Sequence, residues 1–589
     1  MAFSGILYRL LCRNAERSVA LPSGMSLCRY RCGPINDITY HHPSLYRETR
    51  TMPVSFTLIL FFVFLALILI IAFWGMRQTT NTQDFFLGGK TLGPWILAIS
   101  YGATYFSAVI FVGFAGQFGW RFGLSALWIG IANAVIGGGL AWLVLGGRTR
   151  RMTHNLSAMT MPEFFSSRYG SKNMKFVSAL VIFVFLLPYS ASVYKGIAYM
   201  FEIVLDNAIS FEMLLVILTA MSFVYVTFGG YKAIARIDFL LGAIMILGSM
   251  FMAGILISKF GSLGAVLTGV PEKLAERMSL PEGNPLRIVH DPAQWYILPS
   301  VVFMTSFGVW GMPQMIHKFY AISDAKEIWR GAVITTIFAG VIGCAAYLTG
   351  AMSHLMPVTE AVQPQAVASS TGDAANNSDT TATATTTFPQ LRTSATGAKS
   401  VDFDKLVPDL LHAQLPQFLM AVILLLILAA SLSTLSSLVL VSASAVTIDL
   451  YKSGINPSVS GKKELLIMRF FCGLFIILAF LIALRQPAWI VTLMSLSWGS
   501  VAGAFLAPYM YGLFWKRTTR AGAWAGMITG LLVSNGTFIY LSMAYDSSTA
   551  QRFSTVTACA AMVIPFLIVP IVSLATKPPQ KEAVDKAFE

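Results

Sequence analysis

Hydroxyl side chains concentrate in one apolar stretch of the sequence, residues 428–447. Ser433 and Thr434 are adjacent there, and the carbonyl of Ala430 lies one helical turn before them. These oxygens would face neighbouring sides of a helix, and a dehydrated sodium ion is a hard cation that neutral oxygens suit. Serine and threonine in membrane helices also bond to their own backbone and hold helices together, so a purely structural interpretation stays open.

Two other apolar stretches contain residues that weaken a helix halfway along it. The first, 99–108, mixes glycine with hydroxyl residues, and the second, 305–314, contains two glycines and a proline. Paired interruptions at matching places in two halves indicate an inverted-repeat transporter, whose unwound backbone offers carbonyls to a cation and N–H groups to an anionic solute. The alternative is that these glycines only allow close packing of helices.

Lys195 lies well inside a third apolar stretch, within 188–196. A charge inside a membrane costs several kcal/mol unless it is paired or hydrated, so we treat this residue as a candidate functional site. It could bind a solute carboxylate, or it could act as a tethered charge in place of a second cation. The alternative is that its side chain extends towards the outer interface.

The composition shows which class of protein carries these residues. Of 589 residues, 56% are hydrophobic and only 12% charged, and the mean hydropathy is +0.68. A soluble domain has about 25% charged residues, and disordered chains lack such apolar surface, so both classes are excluded. The six cysteines do not support a disulfide framework, and we assign the net charge of +14 to the cytoplasmic loops of a polytopic membrane protein.

Long apolar segments predict the membrane-spanning helices, because about 20 such residues cross a bilayer as a helix. About thirteen segments qualify. They are 55–75, 92–117, 124–146, 174–204, 210–228, 233–258, 295–316, 329–356, 415–450, 466–485, 488–514, 521–543 and 553–575. Lys and Arg concentrate in alternate connections, which predicts that the first helix starts outside and the C-terminus is cytoplasmic.

Two segments do not fit this pattern of spans. Residues 1–51 are rich in Arg and poor in acidic residues, which indicates either a start codon assigned too early, with Met52 the true start, or an organellar leader. Residues 357–405 are of low complexity, and we predict a disordered external loop with a glycosylation sequon at Asn376.

Four ordered motifs between residues 55 and 515 resemble the sodium:solute symporter family. Residues 84–90 resemble the family's approach to the first core helix, and 228–234 with Asp238 resemble its cytoplasmic Gly-Gly signature. Residues 311–320 are similar to the sixth core helix with its basic end, and 428–452 to the eighth.

The resemblance implies an all-α fold of two inverted five-helix repeats, a LeuT-like core, with one helix before it and two after it. The implied organisation is an N-terminal extension 1–51, a peripheral helix 52–77, repeats at 92–260 and 294–515, two peripheral helices at 521–575 and a cytoplasmic tail 576–589. The implied sodium ligands are Ala103, Phe106, Ala430, Ser433 and Thr434. Asp238 matches a family aspartate that would help ion release; alternatively it is a solvated acid paired with Lys232 or Arg236.

The candidate solute contacts surround the two interruptions and Lys195. They are Tyr105, Ser107, Tyr189, Ser192, Lys195, Phe307, Trp310 and Gln314. Proline-type members carry an aspartate where this chain has Tyr105, and the pattern 103–107 looks closer to pantothenate- and monocarboxylate-type members. A proline specificity is therefore not expected.

These observations predict a sodium-coupled symporter, not an enzyme, that imports a small organic solute, with a carboxylate as the expected class. The alternatives are a non-transporting or weakly transporting solute sensor of the same fold and a proton-coupled symporter. No cofactor is expected beyond sodium as the coupling ion. The expected partners are the solute, sodium and the lipid bilayer, without nucleic acid, and a monomer should suffice. The expected location is the plasma membrane, or an organelle if 1–51 is a true leader.

Overall fold

The computed structural model describes residues 54–78, 86, 93–205, 208–281, 284–288, 295–322, 324–357, 388–393, 399–459 and 461–588. Helices make up nearly all of these ranges, and the two strands form one short antiparallel hairpin. The N-terminal extension, the centre of the long outer loop and most of the motif at 84–90 lie outside the described residues. Below, "outer" and "inner" denote the two sides that the charge pattern predicts.

The described residues of the first half of the chain form nine α-helices. They are α1 (Val54–Gln78), α2 (Pro94–Tyr105), α3 (Ala115–Phe122), α4 (Leu127–Ala132), α5 (Gly147–Asn155), α6 (Met161–Tyr169), α7 (Lys172–Val204), α8 (Phe211–Lys259) and α9 (Leu263–Met278). A π-helical segment, Val109–Phe114, precedes α3, and two more, Asn133–Leu140 and Trp142–Gly146, link α4 to α5.

The second half begins with another interrupted helix and continues to the C-terminal tail. Its elements are α10 (Ile297–Phe307), α11 (Pro313–Tyr320), α12 (Lys326–Met352), β1 (Leu391–Thr393), β2 (Lys399–Val401), α13 (Phe403–Gln414), α14 (Gln417–Ser444), α15 (Gly461–Arg485), α16 (Ile490–Phe514), α17 (Arg520–Leu531), α18 (Thr537–Ala544), α19 (Ser547–Ala575) and α20 (Lys581–Phe588). A 3₁₀ turn, Gly308–Gly311, joins α10 to α11, and a π-helical segment, Ala445–Ile455, extends α14.

Nine helices of the described residues are individually long and apolar enough to cross a membrane, and shorter apolar helices occur at 59–71, 211–227 and 297–311. The prediction of an all-helical, polytopic membrane protein is confirmed. The count of thirteen crossings stays a prediction, because several crossings are divided among short helices. The long α8 holds two predicted spans, which meet at Gly230, where φ is +69°. That backbone conformation favours glycine and accounts for this part of the Gly-Gly motif.

The peripheral helices pack on the outside of a central bundle. Helix α1 lies against α8, whereas α17 and α19 lie against α16. Within the bundle, α14 packs on α7 and α8, and α12 packs on α2 and α3. Helix α16 is enclosed almost completely, so its side chains belong to the centre of the molecule.

Both predicted interruptions occur, and the first lies slightly later than the sequence indicated. Helix α2 continues through Gly102 and ends at Tyr105, and Phe106 is extended with φ −109° and ψ 133°. Gly102 serves packing instead, because an added Cβ would lie 2.5 Å from the ring of Phe338. The second interruption runs through the 3₁₀ turn to Met312, which is also extended (φ −85°, ψ 121°).

The outer loop is more ordered than predicted. Within 357–405, β1 and β2 pair antiparallel, with Leu391 opposite Val401, and α13 begins at Phe403. The Asp402 side chain caps α13 by accepting from the Asp404 N–H. Helix α13 packs on α7, on α3 and on the π-helical segment before α3, so it covers the outer end of the bundle. The prediction of a uniformly disordered loop is therefore wrong for its second part, and 358–387 lies outside the described residues.

Candidate ion and solute site

The hydroxyl of Thr434 lies among three backbone carbonyls. Its Oγ1 is 3.0 Å from the oxygen of Thr104, 3.2 Å from that of Phe106 and 3.2 Å from that of Ala430. A hydroxyl carries one proton and can donate fully to only one of them. The other carbonyls converge on the same point in a dry interior, which is an arrangement that suits a small hard cation.

The interruption after α2 frees two of these carbonyls. In an uninterrupted helix the oxygen of Thr104 would accept from Ala108, but the Ala108 N–H donates instead to the hydroxyl of Ser431 at 2.9 Å. The oxygen of Phe106 would accept from Ile110, whose N–H donates to the Ser107 carbonyl at 3.0 Å. Two hydroxyl residues of α14, Ser431 and Thr434, therefore hold this irregular backbone in place.

Ser433 faces a different neighbour from Thr434. Its hydroxyl lies beside the carboxylate of Asp238 on α8. Within the described residues, however, neither Ser433 Oγ nor Asp238 Oδ1 has a hydrogen-bond partner. The implied ligand set of Ala103, Phe106, Ala430, Ser433 and Thr434 stays a prediction, with Phe106, Ala430 and Thr434 brought together and Ser433 directed towards Asp238.

Asp238 is fully buried, which differs from the solvated acid that the sequence allowed. Its Oδ2 accepts from Ser100 at 2.5 Å and lies 3.5 Å from the ammonium of Lys318 on α11. Lys318 also donates to Ser100 at 2.8 Å and to Ser437 at 3.3 Å. We call Ser100, Asp238, Lys318 and Ser437 the inner cluster.

The inner cluster reaches the oxygens around Thr434 through one further contact. Ser437 Oγ and Thr104 Oγ1 are 3.0 Å apart, and Thr104 supplies one of the three carbonyls. Lys318 is therefore two hydrogen bonds from the residue that lines the candidate ion site. Sequence reasoning assigned Lys318 only to a basic helix end; the missed signal was its place within the apolar run 313–320.

Lys195 does not extend to the outer interface, because its side chain is fully buried. Its ammonium donates to Asp404 Oδ2 at 2.8 Å and to the carbonyl of Ala488 at 3.0 Å. Asp404 also accepts from the backbone N–H of Ile490, with both carboxylate oxygens at 3.3 Å. We call Lys195, Asp404, Ala488 and Ile490 the outer latch. It joins α7, α13 and the start of α16, so this ammonium is engaged by the protein instead of facing a solute.

A hydrogen bond joins the two interrupted helices. The hydroxyl of Tyr105, at the end of α2, donates to the carbonyl of Thr305 on α10 at 2.6 Å. Close by, the indole N–H of Trp310 donates to the carbonyl of Ile136 at 3.1 Å. Both side chains are buried, which places these two predicted solute residues at the centre of the bundle.

The other predicted solute residues divide into two groups. Tyr189 lies beside the hydroxyl of Ser107, and Gln314 is buried with no partner for its Oε1 among the described residues. Ser192 instead donates to the carbonyl of Tyr189 in its own helix at 2.6 Å. Phe307 stacks on Phe303 and lies tilted against Trp310. Their roles in solute binding stay predictions.

A narrow cleft lies on the inner side. Thr160 of α6, His317 and Tyr320 of α11 and Ser444 of α14 line it, together with apolar side chains. Within the described residues, no group of three His, Cys, Asp or Glu side chains could hold a metal ion. The candidate ion site consists of the Thr434 hydroxyl and three backbone carbonyls, which are neutral oxygens.

Comparisons with known proteins agree on the class. The model of the sodium:solute symporter family matches residues 85–530. The chain is 28% identical over 478 residues to the sodium/proline symporter of Escherichia coli (strain K12), covering 81% of this chain and 86% of the relative. It is 27% identical over 475 residues to the osmoregulated proline transporter OpuE of Bacillus subtilis (strain 168), covering 80% and 86%.

A solved structure supports the fold. The substrate-bound outward-open state of a Na⁺-coupled sialic acid symporter superposes with a TM-score of 0.61 at 16% identity, covering 89% of this chain and 99% of that chain. The LeuT-like fold is thereby confirmed. Because both sequence relatives named above are proline transporters, the expected closeness to pantothenate- and monocarboxylate-type members is not confirmed.

Proposed function

Because the chain belongs to the sodium:solute symporter family, we propose that it couples the inward flow of sodium to the import of a small carboxylate-bearing solute. The family and the fold are those of transporters, not of enzymes. The proposal adds to them a solute class, an ion site and two gates.

The main support for this proposal is that three backbone carbonyls converge on the Thr434 hydroxyl. A bare sodium ion bound there would be faced by all four oxygens at once, with the Thr434 hydroxyl keeping its proton and turning it away from the ion. Binding would also tie α14 to the interruption after α2. An ion that holds these two elements together favours one arrangement of the bundle, and this differential binding is what couples ion and solute thermodynamically.

The solute class follows from the polarity of the interruptions. Helical structure resumes at Ala108 after the first interruption and at Pro313 after the second, so each interruption is followed by a helix N-terminus. Helix N-termini favour negative charge, and transporters of this architecture use them for carboxylates. Proline, which names the substrate of the two relatives above, also carries a carboxylate, whereas Tyr105 replaces the aspartate typical of proline-type members. L-proline, pantothenate and lactate are therefore the first solutes to test.

Two buried charge pairs serve as gates in the proposed cycle. The outer latch holds α13 over the outer end, and the inner cluster holds α11 against α2 and α8 on the other side. Both pairs are intact in this structure, and Tyr105, Tyr189 and Gln314 between them are buried. Alternating access requires the outer latch to open for loading and the inner cluster to open for release into the inner cleft.

The energetics of one sodium ion are sufficient for uphill import. One ion moving down a membrane potential of 100 mV supplies about 2.3 kcal/mol. That energy supports a solute gradient of about fiftyfold, before the ion's own concentration gradient is added. We place the protein in the plasma membrane with its C-terminus in the cytoplasm, as the charge pattern predicts.

Uptake by the purified protein in lipid vesicles tests the proposal. We expect an inward sodium gradient to drive accumulation of at least one labelled carboxylate, and we expect none when choline replaces sodium. Accumulation driven equally by a proton gradient in choline would instead establish proton coupling. Solute binding without accumulation under either gradient would contradict transport and favour the sensor alternative.

A further inference from the structure

Trp498 lies on α16 at the centre of the bundle, and sequence reasoning did not single it out. Its large indole ring carries one polar group, the N–H. Its relative exposure is 1%, and its indole N–H has no hydrogen-bond partner among the described residues. A buried donor without an acceptor costs free energy unless a ligand satisfies it, and tryptophan can only donate. The side chain therefore requires an explanation beyond packing.

The indole lies directly against the second interruption. A Cβ added at Gly308 would be 2.9 Å from Trp498 Cε3 and 3.2 Å from Cζ3. The backbone at Gly308 is ordinary helix (φ −54°, ψ −38°), so its conformation does not require glycine. Space for the Trp498 ring favours glycine, because a side chain at this position would push the ring away from the backbone.

The indole also reaches towards the first interruption. The rings of Trp498 and Tyr189 meet edge to face, with centroids 6.0 Å apart and planes at 81°. The phenol of Tyr189 in turn lies beside the hydroxyl of Ser107, which follows the extended residue after α2. Trp498 is thus placed between the two interruptions, contacting one directly and the other through Tyr189.

We propose that Trp498 determines solute specificity by donating its indole N–H to the carboxylate of the solute, on the edge of the ring that faces away from Gly308. This inference rests on the proposed function and adds a binding residue to it. A donor-only group is satisfied by an acceptor, and a charged acceptor gives the stronger hydrogen bond. The aromatic faces of Trp498 and Tyr189 would contact the apolar body of the solute.

The substitution Trp498→Phe tests this role, because it keeps an aromatic ring and removes the N–H. The probes are L-proline, pantothenate and lactate, each compared with its alcohol analogue (prolinol, pantothenol and 1,2-propanediol) by competition against uptake and by thermal stabilisation. We expect the variant to bind the best carboxylate about 10- to 100-fold more weakly, as for loss of a hydrogen bond to a charged group. Binding of its alcohol analogue should change far less.

Trp142→Phe is the matched control. Trp142 is also fully buried with an unpartnered indole N–H among the described residues, and it likewise crowds a glycine, Gly331. Its ring meets those of Tyr101 and Phe319 edge to face, instead of meeting Tyr189 and Gly308. Its substitution should change carboxylate affinity less than twofold.

The outcomes separate this proposal from the function on which it rests. If the wild type accumulates a carboxylate with sodium and Trp498→Phe binds it with unchanged affinity, the role of Trp498 is refuted and symport stands. Equal weakening of the carboxylate and its alcohol analogue would also refute it, since that pattern reports lost packing. If the wild type neither binds nor accumulates any probe carboxylate, both proposals fail.

Discussion

The outer latch and the inner cluster each centre on a buried lysine and aspartate, but their geometry differs. On the outer side Lys195 and Asp404 meet directly at 2.8 Å, and the other partners are backbone groups of Ala488 and Ile490. On the inner side Lys318 is 3.5 Å from Asp238, and the hydroxyls of Ser100 and Ser437 share its protons.

This difference indicates different roles. The outer latch is a self-contained pair that fixes a surface helix to the bundle. The inner cluster continues through Ser437 and Thr104 to the oxygens around Thr434, so its charges act on the candidate ion site. We expect disruption of the outer latch to change stability and outer closure, and disruption of the inner cluster to change the response to sodium.

The largest effect on stability should come from removing only one member of the outer latch's ion pair. Lys195→Met leaves the Asp404 carboxylate buried without its cation, which typically costs about 3–5 kcal/mol. We expect a clear loss of thermal stability of the purified protein, whereas the sodium concentration for half-maximal uptake should hardly change. The double variant Lys195→Met with Asp404→Asn should recover most of the stability, because the amide oxygen still accepts from Ile490 and no buried charge remains.

A second ion pair between α7 and the same surface helix provides the control for this experiment. Glu202 and Lys405 are 3.7 Å apart, with side chains 19% and 24% exposed. A partly exposed pair of this kind contributes about 1 kcal/mol, so Lys405→Ala should destabilise the protein much less than Lys195→Met. If Lys405→Ala destabilises the protein as much as Lys195→Met, the special role of the outer latch is wrong.

Two substitutions in the inner cluster should shift the sodium activation of uptake in opposite directions. Two intervening hydrogen bonds place Lys318 within about 10 Å of the Thr434 oxygens. A unit charge at that distance contributes about 2 kcal/mol at an effective dielectric constant of about 20. Lys318→Met should therefore strengthen sodium activation of uptake about tenfold, and Asp238→Asn should weaken it by a similar factor.

Sodium titration of uptake measures both effects, with Lys195→Met as the matched variant from the outer side. Shifts of the same sign in Lys318→Met and Asp238→Asn would show that these substitutions act through structure and not through charge. An equal sodium shift in Lys195→Met would remove the distinction between the two ends.

A smaller effect is expected from pH, through Asp409 on the outer helix α13. Burial raises the pKa of the Asp409 carboxyl to about 8, with Asp402 and Glu202 adding to the rise while Lys405 and Gln390 oppose it. The folded protein therefore keeps a proton that the unfolded chain releases near its ordinary pKa of about 4. Stability from this group is complete below about pH 4 and is lost as the pH rises towards about 8.

Thermal stability measured between about pH 5 and pH 9 should fall by several degrees in the wild type, and less in Asp409→Asn. Asp546 provides a control, because its carboxyl is exposed and hydrogen bonds from Ser548 and Thr549 lower its pKa. Asp546→Asn should keep the wild-type slope. A wild-type slope in Asp409→Asn would assign the pH dependence to other groups.

The sequence predicted the second interruption well and the first less well, for a physical reason. Residues 308–313 combine glycine with proline, and proline cannot continue the hydrogen bonding of the helix before it. At 99–108 the composition did not show where the helix ends, because Gly102 accommodates the ring of Phe338 within a regular helix. The actual end, at Phe106, depends on hydroxyls of α14 that lie more than 300 residues away.

The partners of the buried lysines were beyond sequence reasoning. Lys195 and Asp404 are 209 residues apart, and Asp404 lies at the end of a segment whose composition predicted disorder. The helical pattern of 403–414 was the signal available for α13, with apolar residues on one face and acidic residues at its start. The pairing of Lys318 with Asp238 could not be predicted from the sequence, because only the packed bundle shows that α11 approaches Asp238.

Sodium-dependent thermal stabilisation of the Thr434→Val variant tests the central claim most directly. Valine matches the shape of threonine and removes the hydroxyl. Thr349→Val is the control, because the buried hydroxyl of Thr349 bonds only to Ala345 of its own helix among the described residues. Sodium in place of choline should stabilise the wild type and Thr349→Val, by about 2.7 kcal/mol at a hundred times the dissociation constant, and should leave Thr434→Val unchanged. A full sodium response in Thr434→Val would show that the ion binds elsewhere.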